Sequence, residues 1–468
     1  MIFLLLARRY DNNSNNKSWR ILVVTISVAV TVIIVDTSIV KVSSLIGWRF
    51  VHDLENIILF IAMSSVFAIS YNFVLEFVKG RGEKELGYAR GKMKLSAATF
   101  RKIVSIIQYV ITGIIIFVIL QLVLYSQYST AAITAITAIS YTTASVMMGL
   151  LAYLFFIWFN QNRRSGGSST IFLYCISSAA LVLNTVIGLA LLYTLSRLKV
   201  AIVGPHAGSY HIGILSPIDS ILNNLYIVTS ILGFILMWSA TAILLRSHSK
   251  RLGKAKYWFL VSIPLVYFIS QFLTLFSNQL LTSVVALYPV LFTLLFVFSK
   301  PAGGILFGTA FYSIGRSSSG RSSTTISAHG NFVRDYMTLA AFGVVLFFVS
   351  SQNTVSQPTY PPLGVIAASF VGLSAYMMFL GLYSSAISVS QNVKLRQSIR
   401  RSAIQEAKFL ESISRAQMEQ ELQKRVLTIA KKQSDTMTEE TGVQPSLSEN
   451  DMKQYLEEVI KEMKVRKE

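Results

Sequence analysis

Apolar runs of about twenty residues, separated by short polar stretches, occupy the chain from residue 20 to about residue 390. The first, "RILVVTISVAVTVIIVDTS", has apolar residues on every side of a helix rather than on one stripe. A helix apolar all round belongs in lipid or deep inside a large bundle. Ten stretches are long enough to cross a bilayer: 20–38, 57–78, 103–125, 131–159, 170–195, 219–245, 257–276, 279–299, 336–352 and 363–389. The run 336–352 is short, and Ser and Thr dilute the start of 131–159. The opening "MIFLLLARRY" is too short to span. No small-residue cleavage site follows 20–38, so that run is expected to be retained as the first helix.

After Ser390 the pattern changes period. Ile399, Ala403, Leu410 and Ile413 form one helical stripe, and Met418, Leu422, Val426 and Ile429 form a second. At about 100° per residue the two stripes are roughly a third of a turn out of phase. Two docking faces, or a kinked helix, fit this better than one coiled coil. Glu411 with Arg415 and Glu421 with Arg425 are spaced to support a helix. Beyond the linker "SDTMTEETGVQP", Ser448 and Asp451 make a variant capping box. Met452, Tyr455, Leu456, Val459 and Met463 then recur at helical spacing, a face that wants another protein, another subunit or the first tail helix. The expected class is all-α: a polytopic transmembrane helix bundle of about ten spans with a helical cytoplasmic tail. Its parts are a cytoplasmic N-terminal segment 1–19, a transmembrane domain 20–390 and a tail 391–468.

Charge fixes the expected orientation. Only 14% of the 468 residues are charged, against roughly a quarter in soluble domains. The net charge of +20 sits mostly before residue 391, since the tail holds 15 basic and 13 acidic residues. With the N-terminus inside, the segments 1–19, 79–102, 160–169, 246–256 and 300–335, with the flanking Arg20, carry 23 Lys and Arg. The exterior loops carry four: Lys41, Arg49, Arg197 and Lys199. That asymmetry follows the positive-inside rule and puts both termini in the cytoplasm. Basic charge used in this way marks topology, so no nucleic-acid partner is expected.

Few positions carry chemistry. Asp36, Glu76 and Asp219 fall at the ends of expected spans, which disfavours a charge-coupled carrier. Gln108, Gln121, Asn184 and Gln271 are mid-span amides, expected to bond between helices. Pro264 and Pro289 interrupt spans seven and eight as tolerated kinks. In "AAITAITAIS", Thr134, Thr137 and Ser140 recur every third residue, as close helix packing requires. His206 and His211 on one exterior loop, with His52, Asp53 and Glu55 on another, are candidates for an exterior metal or small-ligand site. Their spacing matches no recognised metal motif, and a solvated loop is the favoured reading of it. The segment "RSSSGRSSTTISAHG", 316–330, reads as a flexible linker; the Gly-rich 301–315 either extends span eight or lies at the interface. Cys175 is the single cysteine, so no internal disulfide forms. No nucleotide, metalloprotease or hydrolase motif is present, so neither enzymatic activity nor a cofactor is expected.

The segments "YSSAISVSQNVKLRQSIRRSA", "AQMEQELQKRV" and "EETGVQPSLSENDMKQYLEEV" resemble uncharacterised multi-pass membrane proteins of ammonia-oxidising archaea. The likeness is clearest over about residues 380–460 and elsewhere is one of topology. It implies an archaeal cytoplasmic membrane and carries over no functional residue. The function expected is a non-enzymatic sensor or signalling-type protein whose tail docks a partner or self-associates. Lys394, Arg396, Arg400 and Arg401 are placed to meet lipid headgroups. A transporter of an uncharged or weakly charged solute and a structural membrane scaffold are the alternatives.

Overall fold

A computed structural model describes residues 16–46, 53–86, 93–163, 169–198, 202–203, 217–248, 253–268, 289–318, 324–351, 362–400 and 405–441. Three long helices open it: α1 (Asn16–Ile46), α2 (Asp53–Leu86) and α3 (Met93–Tyr125). A two-residue strand β1 (Tyr128–Ser129) leads into α4 (Thr130–Arg163) and α5 (Ser169–Leu198). Strand β2 (Ile202–Val203) precedes α6 (Pro217–Leu244), and α7 (Lys254–Ser262) ends in a 3₁₀ turn at Ile263–Leu265. Then come α8 (Pro289–Ser318), α9 (Thr324–Ser350), α10 (Val365–Gln391), the short α11 (Val393–Arg400) and α12 (Gln405–Thr441).

Eight stretches among the described residues are long and apolar enough to cross a membrane: Ile21–Ile39, Leu54–Gly80, Thr99–Tyr125, Thr130–Arg163, Ser169–Thr194, Pro217–Leu244, Asn331–Ser350 and Val365–Gln391. Each overlaps an expected span, including the short 336–352. The two remaining expected spans run across 269–288, outside the described residues. Pro264 sits in the 3₁₀ turn after α7, where its missing N–H interrupts the α-helical ladder.

Of the two readings open for 301–315, the helical extension holds, and the expected linker 316–330 is corrected to be partly helical. Helix α8 runs through Pro301 and the Gly-rich 301–315 to Ser318, and α9 begins at Thr324 within the expected linker. Gly and Ser are poor helix formers in water, but here they let helices approach. A Cβ on Gly308 would lie 2.9 Å from the Ala341 carbonyl oxygen, and one on Gly315 3.2 Å from that of Arg334. Close packing of α8 on α9 therefore needs glycine at both places.

Helices α10 and α9 form the centre. The spanning window of α10 is 100% buried and that of α9 89%, against 28–50% for the other six. Small residues make this possible. A Cβ on Gly343 would lie 2.7 Å from the Met378 amide nitrogen, and one on Gly372 3.0 Å from the Ser140 carbonyl oxygen. Ser140 Oγ donates to the Ala368 carbonyl (2.7 Å) and accepts from the Gly372 N–H (3.0 Å), tying α4 to α10. Thr134 and Thr137 donate back to carbonyls of their own helix, as the packing reading of "AAITAITAIS" expects.

Contacts sort the described loops into two ends. At one end β1 pairs antiparallel with β2, Tyr128 opposite Val203. At the same end Asp36, at the close of the first span, accepts N–H groups from Gly364 (2.8 Å) and Ala367 (3.1 Å) at the start of α10. These are the loops expected on the exterior. The tail packs at the opposite end.

Candidate functional site

At the end that carries β1 and β2, α4, α5, α6 and α8 hold a buried polar cluster. Asn184 on α5 donates to the Tyr226 carbonyl (2.8 Å) and to Thr229 Oγ1 (3.1 Å) on α6. The Tyr141 and Tyr226 hydroxyls hydrogen-bond each other. Tyr226 also donates to the Ser351 carbonyl at 3.4 Å. Ser230 Oγ and Tyr267 Oη lie 2.8 Å apart.

Into this cluster α8 brings Lys300, whose Nζ donates to the same Ser351 carbonyl at 3.2 Å. The ammonium lies 6.0 Å from the Tyr226 ring centroid and 5.8 Å from that of Tyr267. Lys300 is 7% exposed. Burying a cation is costly unless it is matched, and a carbonyl with two electron-rich ring faces supplies the match. The cluster thus offers a positive charge and several hydroxyls that can exchange hydrogen bonds. Lys300 was expected among the interior loop cations; it lies instead within α8, buried against the Ser351 carbonyl. A lysine inside "FTLLFVFSKPAGGILFGTAF" was the available signal, since an ionisable residue within an apolar run is a functional candidate by default.

The tail occupies the other end of the same helices. Asn392 caps α11 by accepting the Leu395 N–H at 3.0 Å, which redirects the chain after α10. Phe409, Leu410, Ile413 and Ala416 of α12 are then buried against the bundle. The Phe409 ring lies 5.5 Å from Tyr174 on α5, which is itself 5.5 Å from Phe311 on α8. Trp158 Nε1 donates to Gln417 Oε1 (3.1 Å), and Asn162 donates to the Ser412 carbonyl (3.0 Å). The first stripe of the tail is therefore a docking face. The second separates from it: Leu422, Val426 and Ile429 are 50%, 40% and 64% exposed.

A third set of polar groups sits between α2, α3 and α10. Ser70 Oγ, both side-chain polar atoms of Gln108 and the Tyr376 hydroxyl are buried without a hydrogen-bond partner. Ring contacts join these helices: Phe67 with Phe370 at 4.9 Å, Tyr71 with Tyr109 at 5.9 Å and Phe100 with Phe379 at 5.7 Å. Ser70 and Gln108 adjoin Tyr71 and Tyr109 in sequence, and Tyr376 lies between Phe370 and Phe379 on α10. Interhelical bonding, expected of the amides, holds for Asn184. It fails for Gln108, while Gln121 accepts the nearby Ser129 N–H at 3.2 Å. Gln271 lies outside the described residues.

The exterior ligand candidates His52, His206 and His211 also lie outside them, and of Asp53 only the backbone, opening α2, is described. Among the described residues no group of three or more His, Cys, Asp or Glu could hold a metal ion. Met452, Tyr455, Leu456, Val459 and Met463 lie outside as well. Of the headgroup candidates, Arg396 turns inward to the Ser390 carbonyl (3.3 Å) and the Met418 sulfur. Lys394 and Arg400 lie on α11, and Arg401 is outside the described residues. Comparison with protein-family models, curated proteins and solved structures finds no match for the chain.

Proposed function

We propose that the chain is a non-enzymatic sensor or signalling-type integral membrane protein with ten spans and both termini in the cytoplasm. Its membrane domain passes a state to the tail, which docks a partner protein. One observation carries the reading: α4, α5 and α8 hold the tyrosine–lysine cluster near one end and the tail near the other. Tyr141 and Trp158 are both on α4, about 25 Å apart along its axis. A ligand that rearranged the hydrogen bonds around Lys300 would shift helices that the tail grips directly. The asymmetry of loop charge supports a cytoplasmic tail, and the archaeal resemblance supports a cytoplasmic membrane.

The test is hydrogen exchange of residues 409–417 in Lys300→Met and Tyr267→Phe variants reconstituted in lipid. The reading expects exchange there to change several-fold in variants that retain the fold. Exchange unchanged in both would overturn it. A second reading, transport of an uncharged or weakly charged solute, is favoured by Ser70, Gln108 and Tyr376, whose side-chain polar atoms are buried without a hydrogen-bond partner on α2, α3 and α10. Solute uptake into vesicles that is lost in Gln108→Leu would decide for it.

A further inference from the structure

Where α6 gives way to α7, two hydrogen bonds clamp the helices side by side. Tyr257 Oη donates to the Ala242 carbonyl at 2.6 Å, and Trp238 Nε1 donates to the Val261 carbonyl at 2.7 Å. One antiparallel register satisfies both, since four residues back on α6 match four residues forward on α7. Carried about one turn the other way, that register sets Arg246 level with Gly253. Gly253 opens α7 at a φ of 84°, a left-handed backbone that favours glycine. Lys254 is the next residue, and Arg246 is close enough to act electrostatically on the Tyr257 hydroxyl. The tail packs against the turn Leu245–His248, so this corner lies at the tail's end of the bundle.

Side chains along the corner follow the order of groups in a phospholipid. Arg246, Lys254 and Lys256 are exposed at the corner. Trp258 and Phe259 come next, 54% and 72% exposed, and the exposed Ile263 follows. At 1.5 Å per residue Trp258 lies ~6 Å and Ile263 ~13 Å beyond Lys254 along the axis. Tyr257 and Val261 take the face buried against α6. At about 100° per residue, Lys254 and Lys256 bracket the opposite face of Trp258 and Phe259. An exposed aromatic face rimmed by cations marks a membrane contact, with tryptophan at headgroup level and lysine reaching past it to the phosphates. We infer that this corner binds an anionic phospholipid, its phosphate held by Arg246, Lys254 and Lys256 and its acyl chain laid along Trp258, Phe259 and Ile263. No acidic residue occurs between positions 246 and 263 to oppose the headgroup. The inference needs only that the apolar helices lie in a bilayer, and it stands whether or not the membrane domain is a sensor.

The test places the full chain in phosphatidylcholine vesicles holding a trace of phosphatidylglycerol with a photoactivatable acyl chain, and maps the label by mass spectrometry. Label on residues 258–263 should exceed at least tenfold that from a phosphatidylcholine carrying the same chain, and inorganic phosphate should not displace it. Lys254→Gln and Lys256→Gln should each lower that label about fivefold, whereas Lys254→Arg should preserve it. Lys431→Gln with Lys432→Gln, a control pair exposed on α12, should leave it unchanged. Equal labelling by the two lipids, displacement by phosphate, or an equal loss in the α12 pair would each overturn the inference. Label found elsewhere on the chain but not on 258–263 would overturn it too.

Discussion

Trp158 donates its indole N–H to the Gln417 amide oxygen at 3.1 Å, a buried hydrogen bond between the membrane domain and the tail. Tryptophan's N–H needs such a partner when buried. Trp158→Phe deletes the donor while keeping most of the ring surface. The loss is about 1 kcal/mol, so local opening of residues 409–417 should become about fivefold more frequent. Amide exchange of that segment measures it. An effect spread evenly over the bundle would mean that the tail has no separate docking equilibrium.

Asp36 ties α1 to α10 by accepting the Gly364 and Ala367 N–H groups. These are orphan donors at the start of α10, where a carboxylate is favoured by the helix dipole. Asp36→Ala should destabilise the protein by about 1–3 kcal/mol for each amide left unpaired. Asp36→Asn keeps one acceptor oxygen and should recover part of that loss. Thermal unfolding in detergent compares the three, and an alanine variant as stable as the parent would refute the cap.

Two amides in the membrane should respond oppositely to the same change. Asn184 bonds across to α6, whereas Gln108 is buried without a partner. Asn184→Leu should cost about 0.6–1.7 kcal/mol, the range for interhelical bonds in bilayers. Gln108→Leu should be neutral or stabilising, because it removes a polar group that gains nothing from its surroundings. Unfolding midpoints that fall equally in both variants would show that Gln108 has a partner after all.

Hydropathy made the spans legible because length and apolarity are what a bilayer selects. It also exposed the two tail stripes, since their phase difference appears in the residues themselves. It did not show which helices are central. Among the eight described spans α3, rich in Ile, Leu and Val, is the least buried, and Ile116, Phe117, Leu120 and Leu124 face outward. Helix α10, rich in Ala, Ser and Gly, is wholly enclosed. In a membrane the small residue marks the helix interface and the large aliphatic marks lipid, the reverse of the soluble rule. Lys300 was misplaced for a related reason: a lone cation reads as a loop boundary unless the groups that match its charge are known. Those groups, Tyr226, Tyr267 and Ser351, come from three distant segments and meet only in the fold.

That inversion yields a last prediction, on two glycines with the same intrinsic helix propensity. Gly113 on α3 has nothing within 4 Å of the place a Cβ would take, and it faces outward. Gly113→Ala should therefore be tolerated and stabilise the helix by up to about 1 kcal/mol, since glycine is the poorer helix former. Gly343 on α9 is different, because its Cβ would come 2.7 Å from the Met378 amide nitrogen and 2.9 Å from the Ser374 carbonyl oxygen. Those are backbone atoms, which cannot rotate aside as a side chain does. Gly343→Ala must push α9 off α10, and with it the contacts that make α10 the centre. We expect Gly343→Ala to lower the unfolding temperature sharply, and Gly343→Val to prevent recovery of a monodisperse protein. Equal thermal stability of Gly113→Ala and Gly343→Ala would show that α9 and α10 do not pack at this distance.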